Sequence, residues 1–187
     1  LLRVQGDLLA AHALGIRNVF VVMGDPTAIG DYPEAMDNYD LVPSGLIKLI
    51  KQSFNIGIDH AGSEIGQPTS FFVGSALNLN SPNPEIELKN HLRKRKAGSD
   101  FVLTQPIFDA ESALDQLRWF RENAGDPNIK ILVGILPLAT DRHAAFLHNE
   151  VPGITIPEDI KIRMRKAGEK SAKEGIKIAV ELIEAMK

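Results

Sequence analysis

Residues 19–26, Val-Phe-Val-Val-Met-Gly-Asp-Pro, place an unbroken apolar run directly before Gly24, Asp25 and Pro26. A short run that is apolar on both faces is typical of a strand covered on both sides, as in a parallel α/β sheet. Such sheets bind their ligands at the carboxyl ends of the strands. The stretch therefore predicts a buried strand over 19–23, with Asp25 at the end where a ligand would bind.

Three later segments repeat this layout and predict further strands at 69–77, 101–103 and 129–133. Helical patterns alternate with all four strands, which favours a parallel sheet built by right-handed crossovers. A (β/α)8 barrel needs eight strands, so four strands form either a small open sheet or part of a barrel. The predicted fold class is α/β, a parallel βα-repeat, with residues 1–187 as a single domain.

Apolar periodicity and start and stop residues predict the helices. Three of the predicted helices lie at 2–14, 84–96 and 141–149. A fourth begins at Pro43, and a fifth runs through Asn123 with Asp109 as its N-cap. The last helical region begins at Pro157 and is interrupted by Gly168 and Gly175. Residues 26–41 form a long polar loop, and long loops in compact domains are more often functional than accidental. Met23, Phe71 and Phe72 are expected in the core.

Composition excludes several classes of protein. The chain has 187 residues, a formal net charge of -3 and no cysteine. It therefore lacks the charge of a nucleic-acid binder and the residues of a disulfide scaffold, a zinc ribbon or a thiol nucleophile. Neither a membrane span nor a signal peptide is visible. We predict a cytoplasmic protein without nucleic-acid or membrane partners, and expect a longer parent because Leu1 opens inside a helical pattern.

The four predicted strand ends offer one carboxylate, one amide, small hydroxyls and backbone groups. They are Gly24-Asp25, Gly74-Ser75-Ala76, Thr104-Gln105 and Gly134-Ile135-Leu136-Pro137. The sequence shows no metal-ligand spacing, no serine elbow and no glycine-rich phosphate loop. A single acid beside an amide suits the orientation of a cofactor that brings its own chemistry. The prediction is a cofactor-dependent site without a metal.

Motifs along nearly the whole chain resemble those of the methylenetetrahydrofolate reductase family. The closest form is the reductase half of bacterial bifunctional proteins that join it to homocysteine S-methyltransferase. The matching segments follow the family order and lie at 7–18, 23–26, 30–33, 71–78, 103–109, 134–138 and 148–154. Each segment alone is a weak signal, but together they are specific.

The resemblance implies an eight-stranded βα barrel that binds FAD. It also implies reduction of 5,10-methylenetetrahydrofolate to 5-methyltetrahydrofolate, with NAD(P)H as the hydride donor. The folate and the nicotinamide would be the small-molecule partners, and the family pattern does not distinguish NADH from NADPH. The four predicted strands would be the fourth to seventh strands of that barrel, so the fold expected from the resemblance is a partial (β/α)8 barrel.

The resemblance also assigns site residues. Asp25 matches an acid beside the flavin and the folate pterin, and Gln105 matches a glutamine that hydrogen-bonds the substrate; these two are the predicted catalytic residues. Ser44 begins a helix whose N-terminus would face the cofactor, a favourable place for an anion. The full set of predicted cofactor-binding residues is Gly24, Asp25, Ser44, Ser75, Ala76, Glu87 and Lys94.

Two departures from the family pattern affect the predicted chemistry. Met23 stands where some family members have an arginine, so one charged cofactor contact is lost or supplied elsewhere. The family's general acid is a glutamate on the first barrel strand, which has no counterpart in this sequence.

Two other functions stay open. A non-catalytic chain would bind no cofactor and would form homo-oligomers through the open edges of the strands at 19–23 and 129–133. A phosphate-binding barrel lyase or aldolase is disfavoured because none of the predicted strand ends carries a lysine.

Overall fold

A computed structural model describes residues 1–37, 39–126 and 128–187, except for the side chain of Ile29. Asn38, in the predicted loop at 26–41, lies outside the described residues. Strands and helices alternate as expected up to the fourth strand. The described strands are β1 (Asn18–Val21), β2 (Phe72–Leu77), β3 (Phe101–Pro106) and β4 (Lys130–Gly134), and the helices are α1 (Leu2–Ala13), α2 (Pro43–Gln52), α3 (Pro84–Ala97), α4 (Ala110–Ala124), α5 (Asp141–Glu150), α6 (Glu158–Ala167) and α7 (Ser171–Ala185).

The four strands form one parallel sheet in the order β1-β2-β3-β4. β1 pairs with β2 so that Asn18 lies opposite Phe72 and Val21 opposite Ser75. Neighbours in the sheet are thus neighbours along the chain, which is also the order of consecutive strands in a (β/α)8 barrel. The predicted α/β class is confirmed, and β1 and β4 are the edge strands, as expected.

The prediction that Met23 and Phe72 belong to the core is wrong. β1 ends at Val21, and Met23 beyond it is 53% exposed. Phe71 is buried as predicted, whereas Phe72 points to the other face of the strand and is 45% exposed. Successive side chains of a strand face opposite sides. The ring of Phe72 stacks on that of Phe101, with centroids 5.3 Å apart.

β2 begins three residues later than predicted because a side chain takes over its hydrogen bonds. Asn55 accepts from the Thr69 hydroxyl at 2.7 Å and from the Phe71 N–H at 2.9 Å. Its own amide donates to the Phe71 carbonyl at 2.9 Å. These bonds satisfy the backbone that a neighbouring strand would otherwise pair.

The contacts divide the chain into two compact units. Residues 1–76 and 90–102 form the first unit, and residues 77–89 and 103–187 form the second. In the first unit α2 starts with proline at its first position, where the missing N–H costs nothing. Its apolar side packs into a core of Val21, Ile47, Ile50, Phe71, Val73 and Ala97.

The second unit has its own core beneath α5, α6 and α7. Asp109 caps α4 by accepting from the Ser112 N–H at 3.0 Å, and Gly125 ends that helix in the left-handed region, both as predicted. Gly168 ends α6, but Gly175 lies inside α7 and does not interrupt it. The core residues are Phe108, Leu138, Ala144, Leu147, Ile154, Ile156, Ile160, Met164, Ile178 and Leu182.

An ion-pair network joins α6 to α7 within the second unit. Arg163 donates to both carboxylate oxygens of Glu181, at 2.7 and 3.2 Å, and to Glu174 at 2.8 Å. These hydrogen bonds hold the pKa of Glu181 below its ordinary value, against the opposing effect of desolvation. The pair therefore stabilises the folded state at a pH above that ordinary value, and the contribution disappears as the pH falls through the lowered pKa.

Glu181→Gln is therefore expected to destabilise the protein at neutral pH and to have little effect in acid. Urea unfolding of variant and parent, at neutral pH and at a pH below the lowered pKa of Glu181, measures the difference. Glu184→Gln is a matched control on α7, because Glu184 forms no ion pair with the residues that the structure describes. An equal loss at both pH values would contradict the assignment.

None of the helices in the described ranges has both the length and the apolar character to span a bilayer.

Candidate functional site

A pocket of about 250 Å³ lies in the first unit, beside the segment that follows β1 and the facing sides of α2 and α3. It is lined by Met23, Val42, Pro43, Ser44, Asn90, Arg93 and Lys94. The lining carries two cations, a hydroxyl and an amide, and no acid. Its electrostatics therefore favour an anion. Two of the predicted cofactor-binding residues, Ser44 and Lys94, meet here.

The N-terminus of α2 contributes polar hydrogen atoms to this pocket. The N–H groups of Gly45 and Leu46 donate to the carbonyl of Val42, at 2.8 and 3.1 Å. Pro43 has no N–H, so Ser44 holds the first donor of the helix that is open to a ligand. Within the described part of the chain, neither its N–H nor its hydroxyl has a hydrogen-bond partner. The positive end of the helix dipole adds to the attraction for an anion.

Lys94 is held at the end of β2. Its ammonium donates to the carbonyl of Ala76 at 2.5 Å, which joins two predicted cofactor residues in the first unit. Arg93, one residue earlier, donates to the amide oxygen of Asn90 on the same helix. The bond to Ala76 orients the Lys94 side chain at the end of β2.

Gly24 and Asp25 lie in an exposed segment directly after the pocket residue Met23. The Tyr39 hydroxyl donates toward the carbonyls of Gly24 and Asp25, at 3.4 and 3.3 Å. Desolvation is the largest cause that raises the pKa of Tyr39. The negative charge of Asp37, a hydrogen bond between the two side chains and the negative charge of Asp25 raise it further. Tyr39 thus stays a neutral donor that ties the loop back to the Gly-Asp segment. A side-chain carbon on Gly24 would meet nothing within 4 Å, so the space beside it is open.

Ser75 is fully buried, and its hydroxyl bonds that of Ser99 at 2.9 Å. The side chain therefore faces the protein interior, and what Ser75 can offer a ligand is support from behind. The neighbouring Gly74 lies against the ring of Phe101, since a carbon added there would come within 2.3 Å of it.

The other two predicted residues belong to the second unit. Gln105 is half-buried near the end of β3. Glu87, on α3, accepts from the N–H of Asn78 at 3.2 Å, which fixes the loop after β2. No group of three or more histidine, aspartate or glutamate side chains in the described ranges is arranged to hold a metal ion.

Sequence reasoning missed Asn90, Arg93 and Tyr39. Arg93 and Lys94 belong to a run of four basic residues, and such runs are usually solvated faces. The informative signal was spacing, because Asn90, Arg93 and Lys94 lie three and four residues apart and so share one face of a helix. Tyr39 carried no such signal, because its contact to the Gly-Asp segment depends on the path of a loop.

The donors of the pocket fit the phosphates of a dinucleotide cofactor such as FAD. Arginine and lysine pair with phosphate oxygens, and a helix N-terminus presents N–H groups to them. Met23 and Val42 give the same pocket an apolar wall. Met23, which stands where the resemblance led us to expect an arginine in some relatives, lines the same pocket as Arg93.

The fold and the pocket define a parallel α/β protein with a pocket between two helices whose lining carries two cations and no acid. The family model described as methylenetetrahydrofolate reductase matches residues 1–187. The chain therefore belongs to the methylenetetrahydrofolate reductase family.

Three relatives carry the same name. Methylenetetrahydrofolate reductase 2 of Saccharomyces cerevisiae is 29% identical over 86% of this chain and 25% of its own length. Reductases 1 and 2 of Schizosaccharomyces pombe are 27% and 25% identical, over 96% and 88% of this chain and 28% and 25% of their own lengths. The chain thus spans about a quarter of these relatives.

A solved structure also resembles the chain. It is an uncharacterized protein from Clostridium thermocellum that binds two copies of 5-methyl-5,6,7,8-tetrahydrofolic acid. The match has 20% identity and a TM-score of 0.45, and covers 62% of this chain and 42% of that one. A score at this level is too low to establish a common fold, and the family assignment does not depend on it.

Proposed function

We propose that the chain is the flavin-binding part of a reductase that converts 5,10-methylenetetrahydrofolate to 5-methyltetrahydrofolate, with FAD as cofactor and NAD(P)H as co-substrate. The observation that carries the proposal is the pocket of Ser44, Arg93 and Lys94. It gathers anion-binding groups in a chain that matches the reductase family over its whole length. The same proposal treats residues 1–187 as one partial-barrel domain.

The residues take the following roles in the proposal. Arg93, Lys94 and the N-terminus of α2 hold the phosphates, and Asn90 supports Arg93. Asp25 faces the pterin edge of the folate, and Gln105 hydrogen-bonds the folate from the end of β3. Ala76 and Ser75 back the cofactor, and Glu87 lies beside it.

When bound, the flavin supplies hydride transfer between the nicotinamide and the folate. In the balanced reaction, NAD(P)H gives up one hydride and the solvent supplies one proton, which together open the folate's five-membered ring and leave a methyl group.

Flavin uptake by the purified protein tests the proposal. The protein is mixed with FAD, freed of unbound cofactor, and examined for the visible absorbance of a bound flavin. Anaerobic addition of NADH or NADPH should bleach that band, and 5,10-methylenetetrahydrofolate should restore it; comparison of the two donors gives the nicotinamide preference. A colourless protein that takes up no FAD would overturn the proposal.

The same sample distinguishes the non-catalytic alternative, in which the chain assembles through open sheet edges. The exposed side chains of Phe20 at β1 and Leu132 at β4 favour edge contacts between copies. Light scattering gives the oligomeric state. Assembly without flavin uptake would support the alternative, whereas a flavin-bound protein supports the reductase in any oligomeric state.

Three further expectations from the resemblance belong to the proposal: a homo-oligomer, a cytoplasmic location, and a place in the bifunctional branch that carries homocysteine S-methyltransferase. Light scattering tests the first, cell fractionation the second, and intact-mass analysis of the native protein the third.

Asp25→Asn is expected to slow the folate half-reaction about 10- to 100-fold, the range that loss of one charged hydrogen bond gives. The nicotinamide half-reaction should change much less, because the pterin contact exists only with folate bound. Stopped-flow absorbance of the flavin measures each half-reaction separately. Glu34→Gln removes the same charge from an exposed residue of the loop that follows, outside the matching segments, and serves as control. An equal slowing of both half-reactions would count against the role of Asp25.

A further inference from the structure

The end of β3 presents two polar side chains to opposite faces of the sheet. Thr104 is 5% exposed, whereas its neighbour Gln105 is half-buried. Alternation along a strand separates the two side chains, so a ligand that reaches Gln105 does not reach the Thr104 hydroxyl. The Thr104 hydroxyl nevertheless donates one hydrogen bond and accepts another, and these partners explain why a threonine stands there.

The Thr104 hydroxyl links two strand ends of the second unit. It donates to the carbonyl of Gln105 at 2.8 Å and accepts from the N–H of Gly134 at 2.9 Å. The carbonyl of Gly134 in turn accepts from the N–H of Ile107 at 3.0 Å. The residue between, Pro106, has a fixed φ angle. The backbone of Gln105 is therefore restrained on both sides.

Gly134 permits this close approach. A side-chain carbon built there would lie 2.8 Å from the Thr104 carbonyl oxygen, 3.2 Å from the Pro106 nitrogen and 3.3 Å from the Gln105 carbonyl carbon. All three are backbone atoms, so they cannot yield as the tip of a flexible side chain would. Glycine at this position therefore keeps β4 close enough for its N–H to reach Thr104.

We infer that Thr104 is a positioning residue for Gln105, and that its hydroxyl, together with Gly134, fixes the direction in which the Gln105 amide is presented to folate. The inference rests on the proposed function for what Gln105 binds. Thr104 itself does not touch the substrate. Its effect on folate binding passes through Gln105.

A double-mutant cycle tests this coupling. Thr104→Val keeps the shape of the side chain and removes the hydroxyl, and Thr104→Ser keeps the hydroxyl. In the purified protein, Thr104→Val should weaken the binding of 5-methyltetrahydrofolate about 3- to 10-fold, as expected for one neutral hydrogen bond. Thr104→Ser should retain most of the parent affinity. In a Gln105→Ala background, Thr104→Val should cost nothing further. Titration calorimetry measures the affinities of all five proteins: the parent, the two Thr104 variants, Gln105→Ala and the double variant.

NMR on the ligand-free protein tests the positioning independently of folate. Thr104→Val should shift the backbone and side-chain amide signals of Gln105 and lower its backbone order parameter, whereas Thr104→Ser should not. A parent protein that binds no folate would overturn the proposed function, while these signals would still test the role of Thr104. If the valine variant does not fold, Thr104→Cys, which keeps the size with a much weaker donor, replaces it.

Three results would overturn the inference: unchanged Gln105 signals in Thr104→Val, equal losses for Thr104→Val and Thr104→Ser, or the same loss of folate affinity with and without Gln105.

Discussion

Replacing Gly175 with alanine is expected to lower the free energy of unfolding of the second unit by about 3 kcal/mol, at the upper end of the usual cost of overpacking. Gly175 lies inside α7, where alanine would ordinarily be the better residue. A methyl carbon there would come within 1.8 Å of the Leu138 carbonyl oxygen, and within 2.9 Å of the Leu138 nitrogen. Leu138 is itself 1% exposed, so neither segment has room to move.

Gly6→Ala is the matched control. Gly6 also lies inside a helix, α1, but a side-chain carbon there meets nothing within 4 Å. Helix propensity predicts a gain of about 1 kcal/mol for this substitution. Urea unfolding of the two variants should therefore give shifts of opposite sign. A Gly175→Ala protein with the parent's midpoint would show that α7 does not pack on Leu138 as the structure has it.

The order of the helices and strands could be predicted because the spacing of apolar residues and the residues that start or stop a helix act over only a few positions. Pro43 and Asp109 start helices and Gly125 ends one, each for a reason visible in its neighbours. The same rules misread Gly175, which the sequence presents as a break in the last helix. Glycine is needed at position 175 because the backbone of Leu138, more than thirty residues away in the sequence, packs against it. No local sequence pattern indicates that contact.

The strand boundaries show the same limit. An apolar run predicted a strand up to Met23, but pairing with β2 stops at Val21. β2 starts late because Asn55, in the 3-10 turn that follows α2, accepts hydrogen bonds from the Thr69 hydroxyl and the Phe71 N–H. Hydrophobicity predicts that a segment is extended, but the groups available for hydrogen bonding decide at which residue its pairing with the next strand begins.

The site divides in a similar way. Ser44 and Lys94 came from the family resemblance, and the structure brings both to one pocket. Arg93 lines the same pocket because of its spacing along α3. It was not predicted because the run of basic residues was interpreted as a solvated face of the helix. Ser75 came from the same resemblance, yet its buried hydroxyl is bonded to Ser99. A motif identifies a segment, whereas which atom faces the ligand depends on the packing around it.

Lys94→Met is expected to weaken FAD binding about 10- to 100-fold, the range for loss of a charged hydrogen bond. Methionine keeps the length and the apolar stem of the side chain, so the pocket keeps its shape while one of its two cations disappears. The variant also loses the bond from Lys94 to the Ala76 carbonyl, and thermal melting without cofactor shows how much stability that bond contributes. Quenching of flavin fluorescence on titration with protein gives the affinities.

Two controls separate the phosphate contact from general effects. Lys96→Met removes the same charge from α3 at an exposed residue that does not line the pocket, so its FAD affinity should stay near that of the parent. Riboflavin has the flavin ring and ribityl chain of FAD but no phosphate, and its weaker binding should be insensitive to Lys94→Met. Because Coulomb attraction to the phosphates is screened by salt, the difference between Lys94→Met and the parent should also shrink as ionic strength rises. Equal losses for FAD and riboflavin, or a loss that salt does not reduce, would mean that Lys94 acts on the end of β2 through Ala76 and does not hold the phosphates.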